Sequence, residues 1–377
     1  MSSSDSTHAG IIARLLFGAA LVTSASGCSV GHARASLASR AVISARSGEP
    51  AEVKRPTATV SAADAIKTVD VTRKPWRFAD YEGQIIITPH YRLYTTLKRH
   101  LVLKQLPLLM ERGLIQYTTA LGQLPKPSGR MDTYLFESRN QWEAKTRQML
   151  PGQSARYLGL GRGGFTTRGT SVLYYIGRTD TLAITAHEGW HQYSQQTFQH
   201  QLPVWLEEGI ATYMEGHLSR PDGIPKFRPW ANLERYHTLR DAVREDRLIP
   251  LGDLLQRTPQ SFLERGRNKL LIYYAQVWAL THFLAEGEQG RYRPALHELL
   301  LDTAQGRLSG RILSSKFISP SQRRRVAANV RIGPWVLLDY FDSDLASFEQ
   351  RYTLFVRQIV KTGGRDRIVQ GQSPLTN

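Results

Sequence analysis

The sequence predicts an α+β protein, in which a small mixed sheet leads into a helix with a His-Glu-x-x-His run and then into a mostly helical C-terminal half. Up to about residue 176, short runs of Ile, Val, Thr and aromatic residues are separated by turn residues, which is typical of strands. After residue 180, apolar residues recur at helical spacing. The run from His187 to His191 lies where the two patterns meet.

The N-terminus has the features of an exported lipoprotein. Arg14 precedes a short apolar stretch over residues 15–22, and Ala25-Ser26-Gly27-Cys28 resembles a bacterial lipobox, in which the signal is cleaved before a cysteine that receives lipid. The stretch is shorter than the about 20 apolar residues that cross a membrane. We expect a signal peptide over residues 1–27 and a lipid anchor at Cys28, the only cysteine, in the bacterial cell envelope. A plain cleaved signal or membrane anchor with an incidental thiol is the alternative.

Residues 28–79 differ in composition from the rest of the chain. They are rich in Ala, Ser, Arg and Thr, contain Pro50, Pro56 and Pro75, and show no sustained periodicity. This composition predicts a disordered tether, with a short helix near 62–69 as the alternative. Residues 363–377 are expected to form a flexible tail.

Residues 80–230 are predicted to form the sheet-containing module. The expected strands are 85–87 and 91–95, joined as a hairpin, then 131–136, and finally 165–167 and 171–176, joined through Arg168-Gly169. The expected helices in front of the His run are 96–121, interrupted at Pro107, and 140–149. Glycines over 159–164 could suggest a phosphate loop, but the lysine and the following helix of such a loop are absent.

The remaining elements are predicted to be helices. The His run should lie on a helix over 181–197, with Asp180 or Thr181 as its N-cap. Gly189 inside it costs about 1 kcal/mol relative to alanine, which is acceptable where another element packs closely. Further helices are expected at 231–246, 269–285, 293–304 and 344–360. They would form a helical C-terminal subdomain over 231–362 that completes a cleft.

The His187-Glu188-Gly189-Trp190-His191 run places three chemical groups on one helix. Histidines four residues apart share a helical face, so both imidazoles could bind one ion, with Glu188 to the side. Zinc lowers the pKa of a coordinated water, and a neighbouring carboxylate can accept the proton. The spacing therefore predicts a zinc site with its own general base. The alternative is a helix with two ordinary buried histidines.

A catalytic zinc needs a third protein ligand and leaves a fourth position open. One known arrangement, that of the metzincins, has a histidine six residues after the second one with a glycine between, but Ser194 and Thr197 stand at those positions. A glutamate on a following helix is the other arrangement, and residues 202–215 have the helical spacing for it, with Pro203 in the first turn. Glu207 and Glu208 could also be a solvated acidic pair at a helix N-terminus.

Taken together, the two segments resemble the peptidase MA-like gluzincins. In that family the HExxH helix is followed by a helix with a Trp-x-x-Glu-Gly-x-Ala-like segment, whose glutamate before the glycine is the third zinc ligand. The matching residues of this chain are Trp205, Glu208, Gly209 and Ala211. The resemblance implies a zincin-like fold and one Zn²⁺ per chain, held by His187, His191 and Glu208, with Glu207 as an exposed neighbour.

Other parts of the chain are similar to a bacterial group within this clan that is catalogued mostly as a domain of unknown function. Residues 90–95 resemble the group's opening strand and residues 273–280 a helix after its zinc site, so that the similarity covers about residues 84–360. Thermolysin-like relatives have an aspartate four residues after the third ligand that orients a zinc histidine. Thr212 stands there in this chain, and its hydroxyl could accept the imidazole N–H.

The family also implies a tyrosine or histidine that donates a hydrogen bond to the oxyanion. We assign this role to Tyr274, with Tyr273, Tyr213 and His237 as rivals. The resemblance implies hydrolysis of a peptide or protein substrate by water, with Glu188 as general base. The hairpin over 163–176 would border the cleft and pair with the substrate backbone. A zincin scaffold that binds envelope partners without turnover is the alternative function.

Net charge restricts the expected partners. The formal charge is +17 and is spread along the chain, with Arg323-Arg324-Arg325 as the only triplet. No nucleic-acid-binding motif or interleaving of aromatic residues accompanies it, so nucleic acid is not expected as a partner. An exported lipoprotein faces anionic lipid and acidic wall polymers, and we expect non-specific attraction to these envelope polymers.

Export in a bacterial host should leave Cys28 as the N-terminal residue, carrying lipid, because the cleavage site precedes it. Mass spectrometry of the mature chain measures both features. The Cys28→Ser variant keeps the apolar stretch and should give a protein without lipid that no longer sediments with membranes. A mature N-terminus with an unmodified Cys28 would contradict the assignment.

Overall fold

The computed structural model describes residues 62–159, 163–218 and 225–375, and it contains one six-stranded mixed sheet and a two-stranded ribbon. The strands of the sheet are β1 (Thr72–Phe78), β2 (Tyr81–Ile87), β3 (Tyr91–Thr95), β4 (Met131–Phe136), β5 (Gly164–Thr167) and β6 (Thr170–Tyr174). The strands of the ribbon are β7 (His217–Leu218) and β8 (Lys226–Phe227). The predicted α+β class is therefore confirmed.

Helices make up most of the structure after the sheet. Those up to the ribbon are α1 (Ala62–Ala65), α2 (His100–Thr119), α3 (Arg139–Met149), α4 (Ser154–Leu158), α5 (Arg178–Thr197) and α6 (Val204–Met214). Those of the C-terminal half are α7 (Leu233–Arg244), α8 (Leu251–Gln256), α9 (Pro259–Leu263), α10 (Arg267–Glu286), α11 (Arg293–Ala304), α12 (Leu308–Ser314), α13 (Pro320–Ala328), α14 (Trp335–Tyr340), α15 (Leu345–Ile359) and α16 (Gly364–Val369). A 3₁₀ turn at Gly287–Gly290 joins α10 to α11.

The strand order of the sheet is β1-β2-β3-β4-β6-β5, which places β5 at an edge. β1, β2 and β3 pair antiparallel in sequence, β3, β4 and β6 are parallel, and β5 returns antiparallel to β6. Both predicted hairpins are confirmed, since Ile86 pairs with Leu93 and Thr167 pairs with Thr170. The sheet thus ends on β5, and β6, its hairpin partner, directly precedes the helix with the two histidines.

Helix α5 lies at the centre of the molecule. It packs against β4, β5 and β6 and also contacts α2 and α6, while α6 packs closely against α10. The residues of α5 from Thr181 to Ser194 are buried with the exception of Ala183. α5 begins at Arg178, so Gly177, rather than Asp180 or Thr181, occupies the N-cap position. The histidine-bearing helix is therefore a core helix that joins the sheet to the helical half.

Two predictions about the N-terminal part are wrong. β1 lies inside the predicted tether, because its mostly exposed residues gain order from pairing with β2 while Trp76 and Phe78 pack on the core. α2 continues through Pro107, since tertiary packing of its buried face outweighs the lost backbone hydrogen bond. The predicted signal peptide, Cys28 and the tether up to residue 61 lie outside the described residues.

The C-terminal prediction is also wrong in part, because α16 lies in the predicted flexible tail and Ile368 is buried. The helices predicted over 231–246, 269–285, 293–304 and 344–360 are confirmed as α7, α10, α11 and α15. No helix within the described ranges is both long enough and apolar enough to cross a membrane.

Close contact between α6 and α10 depends on Gly209. A Cβ atom at this position would lie 2.4 Å from Thr281 Oγ1 and 2.8 Å from the backbone oxygen of Val277. Backbone atoms cannot yield without moving the helix, so a larger residue would push α6 away from α10. The glycine next to the predicted ligand Glu208 is therefore a packing requirement.

The Gly209→Ala substitution should lower the free energy of unfolding by about 1–3 kcal/mol, because it overpacks this contact. Gly310 in α12 is a matched control, since a Cβ atom there would meet no atom within 4 Å. Gly310→Ala should leave stability unchanged or raise it by up to about 1 kcal/mol. Urea unfolding curves measure both values, and equal stabilities of the two variants would disprove the packing requirement.

Candidate metal centre

Two helices bring together the three side chains that were predicted to bind metal. The Nε2 atoms of His187 and His191 on α5 lie 3.3 Å apart. Glu208 Oε2 on α6 lies 3.6 Å from His187 Nε2 and 3.7 Å from His191 Nε2. All three residues are buried, with at most 2% of their surface exposed. They form a compact His-His-Glu triad that could hold a metal ion.

A buried carboxylate contacts the opposite edge of each imidazole. His187 Nδ1 lies 2.8 Å from Glu215 Oε1, and His191 Nδ1 lies 2.9 Å from Glu207 Oε1. Because an ionised carboxylate only accepts, each Nδ1 donates, and in the neutral imidazole the lone pair is then on Nε2. The lone pair of a neutral imidazole is what a metal ion binds. The carboxylates therefore select the metal-binding tautomer of both histidines.

Glu207 is not the exposed neighbour of the ligand that the resemblance implied. It is 7% exposed, because the packing of α6 against α5 covers the first turn of α6. Besides its contact with His191, Glu207 Oε1 accepts a hydrogen bond of 2.7 Å from Ser194 Oγ. Both glutamates of the pair thus point into the protein, one toward each edge of the same imidazole.

The predicted role of Thr212 is also wrong. Its hydroxyl donates to the backbone oxygens of Glu208 and Gly209, at 3.0 and 2.8 Å, inside its own helix. The partner of His187 is instead Glu215, which follows Glu208 by seven residues. Residues seven apart share one face of a helix, so Glu215 extends the face that carries the ligand.

Helix α7 holds Glu215 in place. Asn232 Nδ2 donates to Glu215 Oε2 at 2.7 Å, and Arg235 contributes Nη2 at 3.0 Å to Oε1 and Nε at 3.3 Å to Oε2. Arg235 is 1% exposed and Glu215 is 4% exposed, so this is a buried ion pair with additional hydrogen bonds. A buried pair of this kind keeps its geometry because breaking it leaves an uncompensated charge.

Glu188, the predicted general base, is anchored to the edge strand of the sheet. Its Oε2 atom accepts a hydrogen bond of 2.7 Å from Thr166 Oγ1 on β5. Its Oε1 atom is buried and has no hydrogen-bond partner within the described ranges, and the same holds for Glu208 Oε2. Unsatisfied buried oxygens are costly, so two of them beside one pair of imidazoles indicate that the site is built to receive another group.

Electrostatics of the site favour a cation. Burial would raise the pKa of Glu208, but the adjacent His187 and His191 imidazoles outweigh it and hold this pKa at about 2. Burial favours the neutral form of both histidines, yet the carboxylates around them raise the pKa of each. The pKa of Glu188 is raised by burial. Four buried carboxylates therefore surround two imidazoles, which attracts positive charge to the centre.

Two of the four candidate oxyanion donors lie beside the triad. The ring of Tyr274 is 6.3 Å from that of His187, and Glu208 and Glu188 are among its electrostatic neighbours. Tyr273 is fully buried near Glu208, and its hydroxyl has no partner in the described part of the chain.

The other two candidate oxyanion donors, Tyr213 and His237, contact residues outside the triad. Tyr213 packs against His282, and His237 is near Arg240 and Arg365. Among the described residues, neither forms a hydrogen bond or ring contact with the triad. Tyr274 and Tyr273 therefore remain the two candidates.

Sequence reasoning missed Glu215, Asn232 and Arg235. A signal existed for Glu215, because its spacing of seven from Glu208 places both on one helical face. No comparable signal existed for Asn232 and Arg235. They reach the site only because α7 packs against α10, which in turn packs against α6.

The fold and the buried triad define an α+β protein with a candidate metal centre. A protein-family profile described as "Protein of unknown function (DUF1570)" matches residues 181–300. This segment carries the triad together with the residues that orient it, from α5 to α11. No curated protein matches the chain.

Loss of the Glu207 carboxylate should weaken metal binding by about 10–100-fold, because an amide at this position lacks the negative charge and can donate as well as accept, so it no longer fixes the tautomer of His191. The variant is Glu207→Gln, and competition with a chromophoric chelator measures the dissociation constant. Thr212→Val is the matched control in the same helix, since its hydroxyl bonds only to backbone oxygens. If Thr212→Val weakened metal binding as strongly as Glu207→Gln, the role assigned to Glu207 would be incorrect.

Proposed function

We propose that this protein is a zinc-dependent peptidase of the gluzincin type, with His187, His191 and Glu208 as zinc ligands and Glu188 as general base. One observation carries the proposal. Two Nε2 lone pairs and an unsatisfied Glu208 oxygen converge in a buried site, beside a second carboxylate with a free oxygen. This combination provides both a metal-binding group and an acceptor for a proton.

The residues present fit a zinc ion. Atoms bound at about 2.1 Å to one tetrahedral zinc are separated by about 3.4 Å. The separations among the three predicted ligand atoms are 3.3, 3.6 and 3.7 Å. Two imidazole nitrogens and one carboxylate oxygen are also the ligand set of catalytic zinc sites, which keep a fourth position open.

The protein's own groups would divide the reaction among them. When bound, zinc lowers the pKa of a coordinated water and polarises the carbonyl of the scissile peptide. Glu188 accepts the proton of the attacking water at Oε1 and returns it to the amine nitrogen as the peptide bond breaks. Thr166 donates to the other oxygen of Glu188 and so restrains this carboxylate. Tyr274 is the proposed hydrogen-bond donor to the carbonyl oxygen as it gains negative charge.

The edge strand β5 supports a peptide as the substrate. β5 pairs with β6 on one side only within the described sheet, and it carries Thr166, which contacts Glu188. An extended peptide can add to such an edge through backbone hydrogen bonds. The scissile bond would then lie next to the general base.

A non-catalytic envelope protein that keeps the zincin scaffold is the second candidate. The environment of Glu188 favours the enzyme. A site that only stores or displays a metal has no need of a buried fourth carboxylate whose Oε1 lacks a partner and whose desolvation is costly.

The proposed location is the bacterial cell envelope. The support is the N-terminal sequence with Cys28 in a lipobox-like context, together with the charge of +17, which suits anionic lipid and wall polymers. Both the lipid anchor and these polymers are therefore proposed partners, beside the peptide or protein substrate.

Replacement of Glu188 by Gln should lower the rate of peptide hydrolysis by about 10²–10⁴-fold, because the general base is lost. The zinc content should remain near one per chain. His191→Ala should lose both zinc and activity. Hydrolysis of a broad peptide library, followed by mass spectrometry, and zinc content by atomic emission measure the two properties.

Chelation of the metal should abolish hydrolysis by the wild-type protein, and added zinc should restore it. Stoichiometric zinc without cleavage of any peptide in the library would overturn the peptidase and favour the scaffold. Unchanged activity of Glu188→Gln would overturn the assignment of the general base.

A further inference from the structure

Arg331 is fixed at the beginning of the helix that carries Glu208. It lies between α13 and α14, outside the segment matched by the family profile. Its Nε atom donates to the backbone oxygen of Leu202 at 2.8 Å, and its own backbone oxygen accepts from Val204 N at 3.2 Å. Val204 is the first residue of α6 and precedes Glu208 by four residues, which is about one helical turn, or roughly 6 Å along the axis.

The outer nitrogens of this guanidinium make no polar contact with the described residues. Within the described ranges, Nη1 and Nη2 of Arg331 have no hydrogen-bond or ion-pair partner, and the side chain is only half-buried. Glu207, Glu208 and Tyr273 are its electrostatic neighbours. Burial lowers the pKa of Arg331, which means that the site desolvates its charge more than the neighbouring acids compensate. An anion placed on the free nitrogens would offset that cost.

Two fully buried arginines, Arg112 and Arg235, are bound differently. Arg235 directs Nη2 and Nε at the Glu215 carboxylate, and Arg112 directs Nη1 and Nε at the backbone oxygens of Pro225 and Ile66. These two guanidinium groups therefore stabilise the fold. Arg331 uses only its Nε to hold the segment before α6. Its two outer nitrogens therefore remain available to bind an anion near Glu207 and Glu208.

We propose that Arg331 binds a carboxylate of the peptide substrate, and so sets the substrate class of the proposed peptidase. This inference rests on the proposed function. A guanidinium presents two parallel N–H groups that match the two oxygens of a carboxylate. The carboxylate is either the free C-terminus of the peptide, which would make the enzyme a carboxypeptidase, or an acidic side chain near the scissile bond.

Three short fluorescent peptides distinguish these sources. One has neutral side chains and a free C-terminus, one has the same sequence with an amidated C-terminus, and one is amidated but contains a single Glu. Binding is measured by fluorescence anisotropy on the full-length, zinc-loaded Glu188→Gln protein, so that hydrolysis does not interfere. A preference of about 10–100-fold is expected for one of the two peptides with a carboxylate over the neutral amidated one.

The preference should disappear when Arg331→Met is added and should persist in part in Arg331→Lys, which keeps the charge but not the fork. Arg324→Met is the matched control, because Arg324 is exposed on α13, and it should leave the preference unchanged. Equal binding of the three peptides, or a preference that survives Arg331→Met, would overturn the inference. Thermal unfolding verifies that each variant is folded. If Arg331→Met is unfolded, the binding preference of Arg331→Lys decides the outcome instead.

Hydrolysis of the same peptides by the wild-type protein separates the two proposals. Efficient cleavage of the neutral amidated peptide, together with equal binding of all three, would retain the peptidase and reject the role of Arg331. A carboxylate preference that depends on Arg331, without cleavage of any peptide in the broad library, would retain the binding site and reject the peptidase.

Discussion

The hydrogen bonds from the Nδ1 atoms of His187 and His191 to two buried glutamates are the constraint on which the site depends. Each bond fixes one tautomer and one ring orientation, so that both Nε2 lone pairs meet at Glu208 Oε2. Without them, each imidazole could rotate or place its proton on Nε2, and the triad would lose the arrangement that could hold a metal ion. Glu207 precedes Glu208 in α6 and Glu215 directly follows the last residue of this helix, so the placement of α6 sets all three contacts together.

This constraint makes the candidate site part of the core. Glu215 remains ionised in the interior because Arg235 and Asn232 reach it from α7, and Gly209 lets α6 approach α10 closely enough to keep the ligand helix in place. Gly189 has a similar function on α5, where a Cβ atom would lie 2.4 Å from the hydroxyl of Tyr117. Desolvation of several charges is costly, and precise packing is what holds them in compensating positions.

The sequence was sufficient for features that depend on local spacing. The hairpins and the helix with the two histidines follow from periodicity and turn residues, and Glu208 follows as the third candidate ligand from the resemblance in the segment from Trp205 to Ala211. It was insufficient where tertiary packing decides. Glu207 appeared solvent-exposed because only contact with α5 buries it, and β1 appeared disordered because its order comes from pairing with β2. Arg235 could not be assigned, since nothing local distinguishes it from the many other arginines of a strongly basic chain.

The contacts around the triad come from two parts of the protein, the sheet and the helical half. Glu188 is held from the sheet, through Thr166 on the edge strand. The helix α6, which carries Glu208, is held from the helical half by Arg235, which contacts Glu215 just after its end, and by Arg331, which contacts Leu202 just before its start. Under the proposed function, the sheet would therefore align the substrate backbone with the general base, and the helical half would bind groups that distinguish one peptide from another. A sheet edge accepts many sequences, because it pairs with backbone atoms. Selectivity would consequently reside in the helical half, in which Arg331 lies outside the segment that the family profile matches.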